Sequence, residues 1–235
     1  MAGTVEEERR SRGAAHLVET LAAPDLLVVG EPGGWSSVVL GYKGKLDLDY
    51  QVRRPSTHST NPAPKAGELA VAFWQDVLEE LGPDRDHARF DAPAATLRRV
   101  EGDMLEASLT VDCRLPPGFD RDRFLAALDR RAGDGTVTVL HHVPAVRAGR
   151  ANPVARGLSA AIRRHGGHPR PLLKTGTADM NLVAPSWPVP MAAYGPGDST
   201  LDHTDDEHVE VEEYLRSVAV LTTALDELAG VTGPD

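Results

Sequence analysis

The apolar positions of the chain follow different periods in different segments. Residues 26–30, Leu-Leu-Val-Val-Gly, are apolar on both faces and are followed by Glu and Pro, a pattern typical of a short strand buried in a parallel sheet. Between residues 46 and 52, and again between 107 and 113, apolar and polar side chains alternate. Period two predicts strands of a sheet that has one solvated face. Two kinds of sheet are therefore expected in one chain.

The segment between these alternating strands predicts helices in a regular order. Apolar residues at helical spacing run from Leu69 to Leu81 and stop before Gly82-Pro83. A strand is expected near 95–100, a helix near 120–132 and a further strand near 137–140. The order of strands and helices is then βαββαβ, which is the ferredoxin-like arrangement.

The first pattern returns after this unit. A helix is predicted over 153–165, a strand over 190–194 and a last helix over 210–228. We therefore expect an α/β domain made of residues 1–36 and 149–235, into which an α+β unit of residues 37–148 is inserted. The first piece supplies only one clear strand and one helix, so the sheet of the α/β domain is expected to be incomplete.

Composition narrows the class of protein. Of 235 residues, 41% are hydrophobic and 26% charged, enough apolar material for a folded globule. The net charge of −10 disfavours nucleic acid and anionic lipid as partners. No apolar stretch approaches the roughly 18 residues that a membrane span needs, so we predict a cytoplasmic protein. Cys113 is the single cysteine, so a metal site would have to use His, Asp and Glu.

Two acidic segments are candidates for chemistry. Glu6, Glu7 and Glu8 are adjacent and repel one another unless a cation neutralises them. They could equally form an acidic first turn of the helix predicted from Arg12, where they would complement the helix dipole. Glu31 follows the buried strand at its carboxyl end, which is where open α/β sheets bind ligands.

A Gly- and Pro-rich loop after the strand at 190–194 is the third candidate. Residues 195–208 contain five acidic side chains and two histidines just before the last helix. The acids could simply enrich the first turn of that helix. His203 lies in the loop and has no apolar face to pack, which favours a site role over a structural one.

Several short motifs, taken in their order along the chain, resemble those of the di-zinc aminoacylase and carboxypeptidase family of metallohydrolases. They are Val5–Glu8 with Ser11–Gly13, Gly30–Pro32, Arg54–Ser59, Asp112–Leu115, Lys174–Asp179, and Gly195–Asp198 with His203. The family includes acetylornithine deacetylase, succinyl-diaminopimelate desuccinylase and hydrolases that release lysine or ornithine from an amino-group carrier protein. The last two motifs resemble the carrier-protein branch, also described as acetyl-lysine deacetylases.

The resemblance implies a metal-dependent amidohydrolase of amino-acid biosynthesis. It implies a zinc-hydrolase catalytic domain with a parallel sheet and an inserted ferredoxin-like dimerisation domain. Glu7 matches the family's general base, and Glu8, Glu31 and His203 match metal ligands. The cofactor implied is zinc or cobalt, with two ions per site in the complete family enzyme. A metal-bound water attacks the amide, and the base carries its proton to the leaving amine.

Three more residues receive roles from the resemblance. His58 matches a histidine that, in the family's homodimers, stabilises the oxyanion in the partner's active site. Arg114 matches a residue that binds a substrate carboxylate, and Thr177 lies in a stretch resembling the substrate loop. On their own, His58 could be a surface histidine, Arg114 an exposed strand-end arginine and the Thr177 segment a tight turn. The implied substrate is an N-acyl amino acid or the amino-group carrier protein.

The chain departs from the family at its start. The family's His-x-Asp segment and bridging Asp should come before the Glu-rich motif, but only five residues precede Glu6. We therefore expect the N-terminal part of the family pattern to be lacking and this chain to be inactive by itself. The alternative is a non-catalytic dimerisation or partner-binding module derived from such a hydrolase.

Overall fold

A computed structural model describes residues 1–231 and divides the chain into two compact units. The first unit contains residues 1–42 and continues from residue 146, and the second contains residues 43–145. In chain order the elements are α1 (Arg12–Thr20), β1 (Leu27–Gly30), β2 (Ser37–Tyr42), β3 (Gly44–Arg53), α2 (Ala66–Leu81), β4 (Ala94–Gly102), β5 (Glu106–Leu115), α3 (Arg121–Arg131), β6 (Thr136–Val143), β7 (Val146–Arg147), α4 (Pro153–Arg164), β8 (Arg170–Lys174), α5 (Asp179–Val183), β9 (Met191–Tyr194) and α6 (Val211–Val231).

The first unit is built on a mixed sheet, which confirms the α/β class. Its strand order is β1-β9-β2-β7, and β8 also pairs with β2. β1 runs parallel to β9, and β8 runs parallel to β2, whereas β2 is antiparallel to β9 and β7. The parallel pairing of β1 matters for the site, because it places the ends of β1 and β9 at the same edge of the sheet.

The position of β1 differs from the prediction of a fully buried strand. β1 ends the strand order of the described residues, and its side chains are only half-buried. Its apolar residues still contribute to both faces: Val28 packs with the core that contains α4 and α6, and Val29 packs with the core that contains Met180. The two-sided apolar pattern is therefore correct, although the strand lies at an end of the sheet.

β2 is the strand that the sequence pattern did not reveal. All six of its residues are buried. Val38 and Leu40 face the helices α4 and α6, whereas Val39 and Tyr42 face the opposite core. Because both faces of the strand are covered, its apolar residues follow neither the helical period nor the alternating period. The sequence pattern therefore does not predict a strand at residues 37–42.

The second unit has the predicted βαββαβ order. Its four strands are all antiparallel in the order β4-β5-β3-β6, which is the ferredoxin-like arrangement. The helices α2 and α3 contribute buried residues to one core on one face of this sheet. The alternate side chains on the other face include Asp47 and Asp112, as the period-two pattern requires. A dimerising role for this unit stays a prediction.

The structure places the unit boundaries a few residues inside the range 37–148 expected from the sequence. Ser37–Tyr42 and Val146–Arg147 are strands of the first sheet and pair with each other. The buried run at 37–42 follows the apolar pattern of the first unit, and the alternating pattern begins only at β3. No helix within residues 1–231 is long and apolar enough to cross a membrane.

The core of the second unit yields a stability prediction. Phe73 of α2 is buried and stacks on Tyr50, with ring centroids 4.1 Å apart. Phe73→Ala should lower the free energy of unfolding by about 3–5 kcal/mol, because it removes buried apolar area and leaves a cavity. Urea unfolding followed by circular dichroism measures the change. Val71→Ala is the matched control on the same helix, since Val71 is 58% exposed; equal losses for the two variants would refute this account of the core.

Candidate active site

Glu7 and Glu8 lie in a tight turn before α1, which we call the acidic turn (residues 5–11). Glu6 and Ser11 both adopt left-handed backbone conformations, with φ of 63° and 48°. The turn closes through the Ser11 amide, which donates to the Glu6 carbonyl at 2.8 Å. The alternative interpretation, an acidic first turn of the helix, is wrong because α1 begins only at Arg12 and its first turn contains no acid.

His203 lies beside this turn. Its Nε2 is 3.4 Å from Glu8 Oε2, and both side chains are about 70% exposed (71% and 73%). His203 itself has a φ of 62°, which turns the loop back after β9. The other histidine of the loop, His208, donates from Nδ1 to the Asp206 carbonyl and lies 3.8 Å from Glu210. Of the two, His203 is the one that the structure brings to a predicted ligand.

Glu31 reaches the same edge of the sheet because β1 and β9 are parallel. The loops that follow these strands are hydrogen-bonded, since the Gly33 amide donates to the Gly195 carbonyl at 3.2 Å. A side chain at Gly195 would meet the Glu31 carbonyl at 2.7 Å, so only glycine permits this approach. Glu31 and the loop that carries His203 are thus held next to each other.

Two carboxylates of this edge, Glu7 and Glu31, have a raised pKa. Burial, together with the charges of Glu7, Asp179 and Glu8 and against the lowering effect of Lys174, raises the pKa of Glu31 to about 8. Burial also raises the pKa of Glu7, together with the charges of Glu8 and Asp179, while His203 lowers it. The negative charge exceeds the nearby positive charge, and a bound cation would relieve this imbalance.

Three further residues of the site were not assigned roles from the sequence. Tyr42 is 2% exposed, its hydroxyl has no hydrogen-bond partner within the described residues, and Glu31 and Glu7 contribute with burial to raising its pKa. Asp179 is 7% exposed and receives a hydrogen bond from the Thr4 hydroxyl. Lys174 donates to the Pro32 carbonyl, and burial lowers its pKa. The Lys174–Asp179 motif indicated this region, whereas Tyr42 lies in the strand that carries no periodic signal.

The three residues with predicted substrate or oxyanion roles lie in both units. Thr177 is half-buried between β8 and α5, in the same unit as the carboxylates. His58 is exposed in the second unit, where its Nδ1 lies 2.9 Å from the Thr60 hydroxyl. Arg114 is on β5 of the second unit, and its Nε lies 2.9 Å from Asp112 Oδ1. The predicted roles of these three residues stay predictions.

The side chains at this edge offer oxygen and nitrogen donors of the kind that a metal ion binds. Carboxylates and an imidazole are suitable zinc ligands, and the crowding of Glu7, Glu8 and Glu31 is the charge environment that a cation would stabilise. Within residues 1–231, however, no three His, Cys, Asp or Glu side chains are gathered closely enough to hold a metal ion. The residue types therefore fit a metal site by chemistry, although the described residues do not gather three donors in one place.

The sequence matches the family described as peptidase family M20/M25/M40 over residues 1–227, and the chain belongs to this family. It is 39% identical over 239 residues to the LysW-lysine hydrolase of Deinococcus radiodurans, covering 97% of this chain and 66% of that protein. It is 34% identical to a putative LysW-lysine/LysW-ornithine hydrolase of Thermococcus kodakarensis, covering 97% and 62%. The chain thus spans somewhat less than two thirds of the length of these relatives.

Solved structures agree with the fold. The aminopeptidase PepT of Bacillus cereus is similar with a TM-score of 0.75 at 18% identity, over 96% of this chain and 63% of that one. An M20 family metallo-carboxypeptidase of Sulfolobus solfataricus gives a TM-score of 0.68 at 15% identity, over 89% and 64%. The family resemblance inferred from the motifs is therefore confirmed.

The raised pKa of Glu31 makes stability depend on pH. The folded state holds this proton up to about pH 8, whereas an ordinary glutamate releases it near pH 4.5, so stability should fall as pH rises through this window. Glu31→Gln removes the charge and should flatten the fall. Urea unfolding at pH 5, 6.5 and 8 without metal measures how the free energy of unfolding changes with pH in each variant. Glu19→Gln, at an exposed position of α1, is the control; an unchanged slope in Glu31→Gln would contradict the prediction.

Proposed function

We propose that the chain carries the active-site edge of a metal-dependent amidohydrolase that releases lysine or ornithine from an N-acyl or carrier-protein-linked precursor in amino-acid biosynthesis. The observation that carries this proposal is that His203 lies 3.4 Å from Glu8 and that the charges of Glu7 and Glu8 act on Glu31, at one edge of the first sheet. The names of the relatives, LysW-lysine and LysW-ornithine hydrolases, support the choice of substrate class.

The residues divide into ligands and a base. Glu8, Glu31 and His203 would hold zinc or cobalt, two ions in the complete site, and the metal when bound supplies an activated water and polarises the amide carbonyl. Glu7 is half-buried, and burial raises its pKa above that of an ordinary glutamate, which makes it a stronger proton acceptor. It accepts a proton on its carboxylate and returns it to the amine that leaves.

Three further residues have proposed roles toward the substrate. Arg114 would bind a substrate carboxylate in a two-point contact; its present partner is Asp112 of the same strand. Thr177 would contribute to the substrate loop, and His58 would stabilise the oxyanion in the partner's site of a homodimer. A cytoplasmic location stays a prediction.

We expect little or no turnover from this chain by itself. Within the described part of the chain, no three His, Cys, Asp or Glu side chains are gathered closely enough to hold a metal ion. Acetyl-lysine and a LysW-linked lysine should be assayed with added zinc or cobalt. The assay should then be repeated after co-expression with the part of the Deinococcus radiodurans relative that lies outside the match.

Activity restored by that second polypeptide would support the hydrolase. Turnover by the chain alone at an ordinary enzyme rate, roughly 1–1000 per second, would overturn the ligand assignment. Failure in both assays, together with a stable dimer in sedimentation, would favour the non-catalytic dimerisation module instead.

The two histidines of the loop provide a matched pair of variants. His203→Ala should weaken zinc binding in calorimetry and abolish restored activity, because it removes an imidazole 3.4 Å from Glu8. His208→Ala should leave both unchanged, since this side chain contacts the Asp206 carbonyl and Glu210 instead. The reverse result would show that the motif assignment is wrong.

Glu7→Gln separates chemistry from binding. The variant keeps the shape of the side chain and removes the proton acceptor, so zinc affinity should stay close to that of the unaltered chain. Restored turnover should fall by roughly 100-fold to 10,000-fold. A Glu7→Gln variant that loses its metal in proportion to its activity would identify Glu7 as a ligand rather than a base.

A further inference from the structure

The acidic turn is held in an unfavourable backbone conformation. Glu6 and Ser11 both have positive φ, which costs energy for residues with a Cβ atom. The bonds that close the turn are local: the amides of Arg9 and Ser11 donate to the Glu6 carbonyl, and the Gly13 amide donates to the Val5 carbonyl. Such a conformation persists only where surrounding structure determines it.

One side-chain contact connects this segment to a distant, buried part of the first unit. The Thr4 hydroxyl donates to Asp179 Oδ2 at 2.8 Å across 175 residues of sequence. Asp179 is 7% exposed and begins α5, whose next residue, Met180, is fully buried in the core of this unit. Asp179 is therefore a fixed point, whereas Thr4 is exposed.

Asp179 lies in the first turn of α5 but does not cap that helix. The amide of Ala178 at the start of α5 is satisfied by the Asn181 side chain at 2.9 Å, so the Asp179 carboxylate is not needed as a cap. Its Oδ1 is buried and has no hydrogen-bond partner within the described residues. A carboxylate buried with one free oxygen is costly, and a role in the neighbouring site accounts for its presence.

We propose that Asp179 is a positioning residue, which through the Thr4 hydroxyl fixes the acidic turn so that Glu7 and Glu8 face Glu31 and His203. The hydrogen bond holds the chain at Thr4, only a few residues before Glu7 and Glu8. Its consequence for catalysis rests on the proposed hydrolase function; its effect on the turn does not. Asp179 touches neither substrate nor metal in this account and acts only through the conformation of the turn.

Trypsin tests the proposal directly, because Arg9 and Arg10 lie in the acidic turn. Thr4→Val has nearly the same shape and lacks the donor, and Asp179→Ala lacks the acceptor. Each should speed cleavage at these arginines by roughly tenfold, since a hydrogen bond to a buried charge is lost and the turn opens more often. Thr4→Ser keeps the hydroxyl and should be cleaved at the rate of the unaltered chain.

The double variant Thr4→Val/Asp179→Ala should be cleaved no faster than either single variant, because both remove the same interaction. Thermal melts by circular dichroism identify any variant whose whole first unit is destabilised. If Asp179→Ala folds poorly, the cleavage rate of Thr4→Val alone decides whether the hydrogen bond fixes the turn. Additive effects, or a Thr4→Ser variant cleaved as fast as Thr4→Val, would overturn the proposal.

Zinc calorimetry on the same variants separates this inference from the proposed function. If the chain binds zinc, Thr4→Val should weaken binding and Thr4→Ser should restore it. A turn loosened without any change in zinc affinity would overturn the positioning role. If the unaltered chain binds no zinc, the proposed metal site fails, whereas the cleavage rates still decide whether Asp179 fixes the turn.

Discussion

The repulsion between carboxylates at one edge of the first sheet is the constraint on which the site depends. Glu7, Glu8, Glu31 and Asp179 all act on one another there, and the pKa of Glu31 rises to about 8 as a result of burial and these charges. Partly buried charges of one sign raise the free energy of the folded state when no opposite charge pairs with them. The folded state can keep these carboxylates together only if bound protons or a bound cation neutralise part of their charge. The same neutralisation by a cation is what the proposed chemistry requires.

The fold brings these residues together through the parallel pairing of β1 with β9. Both strands end at one edge, so Glu31 and the loop with His203 follow them to the same place. The acidic turn, which precedes α1, brings Glu8 to His203. Gly195 permits the close approach of the two loops. Three segments that are distant in sequence thus contribute side chains to one site, which is a common arrangement in open α/β sheets.

The elements with a clear period could be predicted from the sequence, and those without one could not. The helix α2 and the strands β3 and β5 each have an apolar face and a polar face, and this contrast gives a readable period. β2 is covered on both faces, and its apolar run shows no period. The candidate ligands followed from short motifs in their order along the chain, because their residue types suit a metal.

Tyr42 and Asp179 escaped assignment for a physical reason: each has a buried oxygen, the Tyr42 hydroxyl and Asp179 Oδ1, without a hydrogen-bond partner within the described residues, and a sequence does not display this. The acidic turn was ambiguous for a similar reason. Acidic residues before a helix suit both a helix dipole and a cation, and only the start of α1 at Arg12 decides between the two.

Proton release on metal binding tests the central claim most directly. Glu31 with a pKa of about 8 is mostly protonated at pH 7, so a zinc ion bound there must displace its proton. Calorimetry in buffers of different ionisation enthalpy counts the protons. The account predicts release of roughly one proton per zinc at pH 7, falling toward zero near pH 9. Zinc binding without proton release at pH 7, or unchanged release in Glu31→Gln, would contradict it.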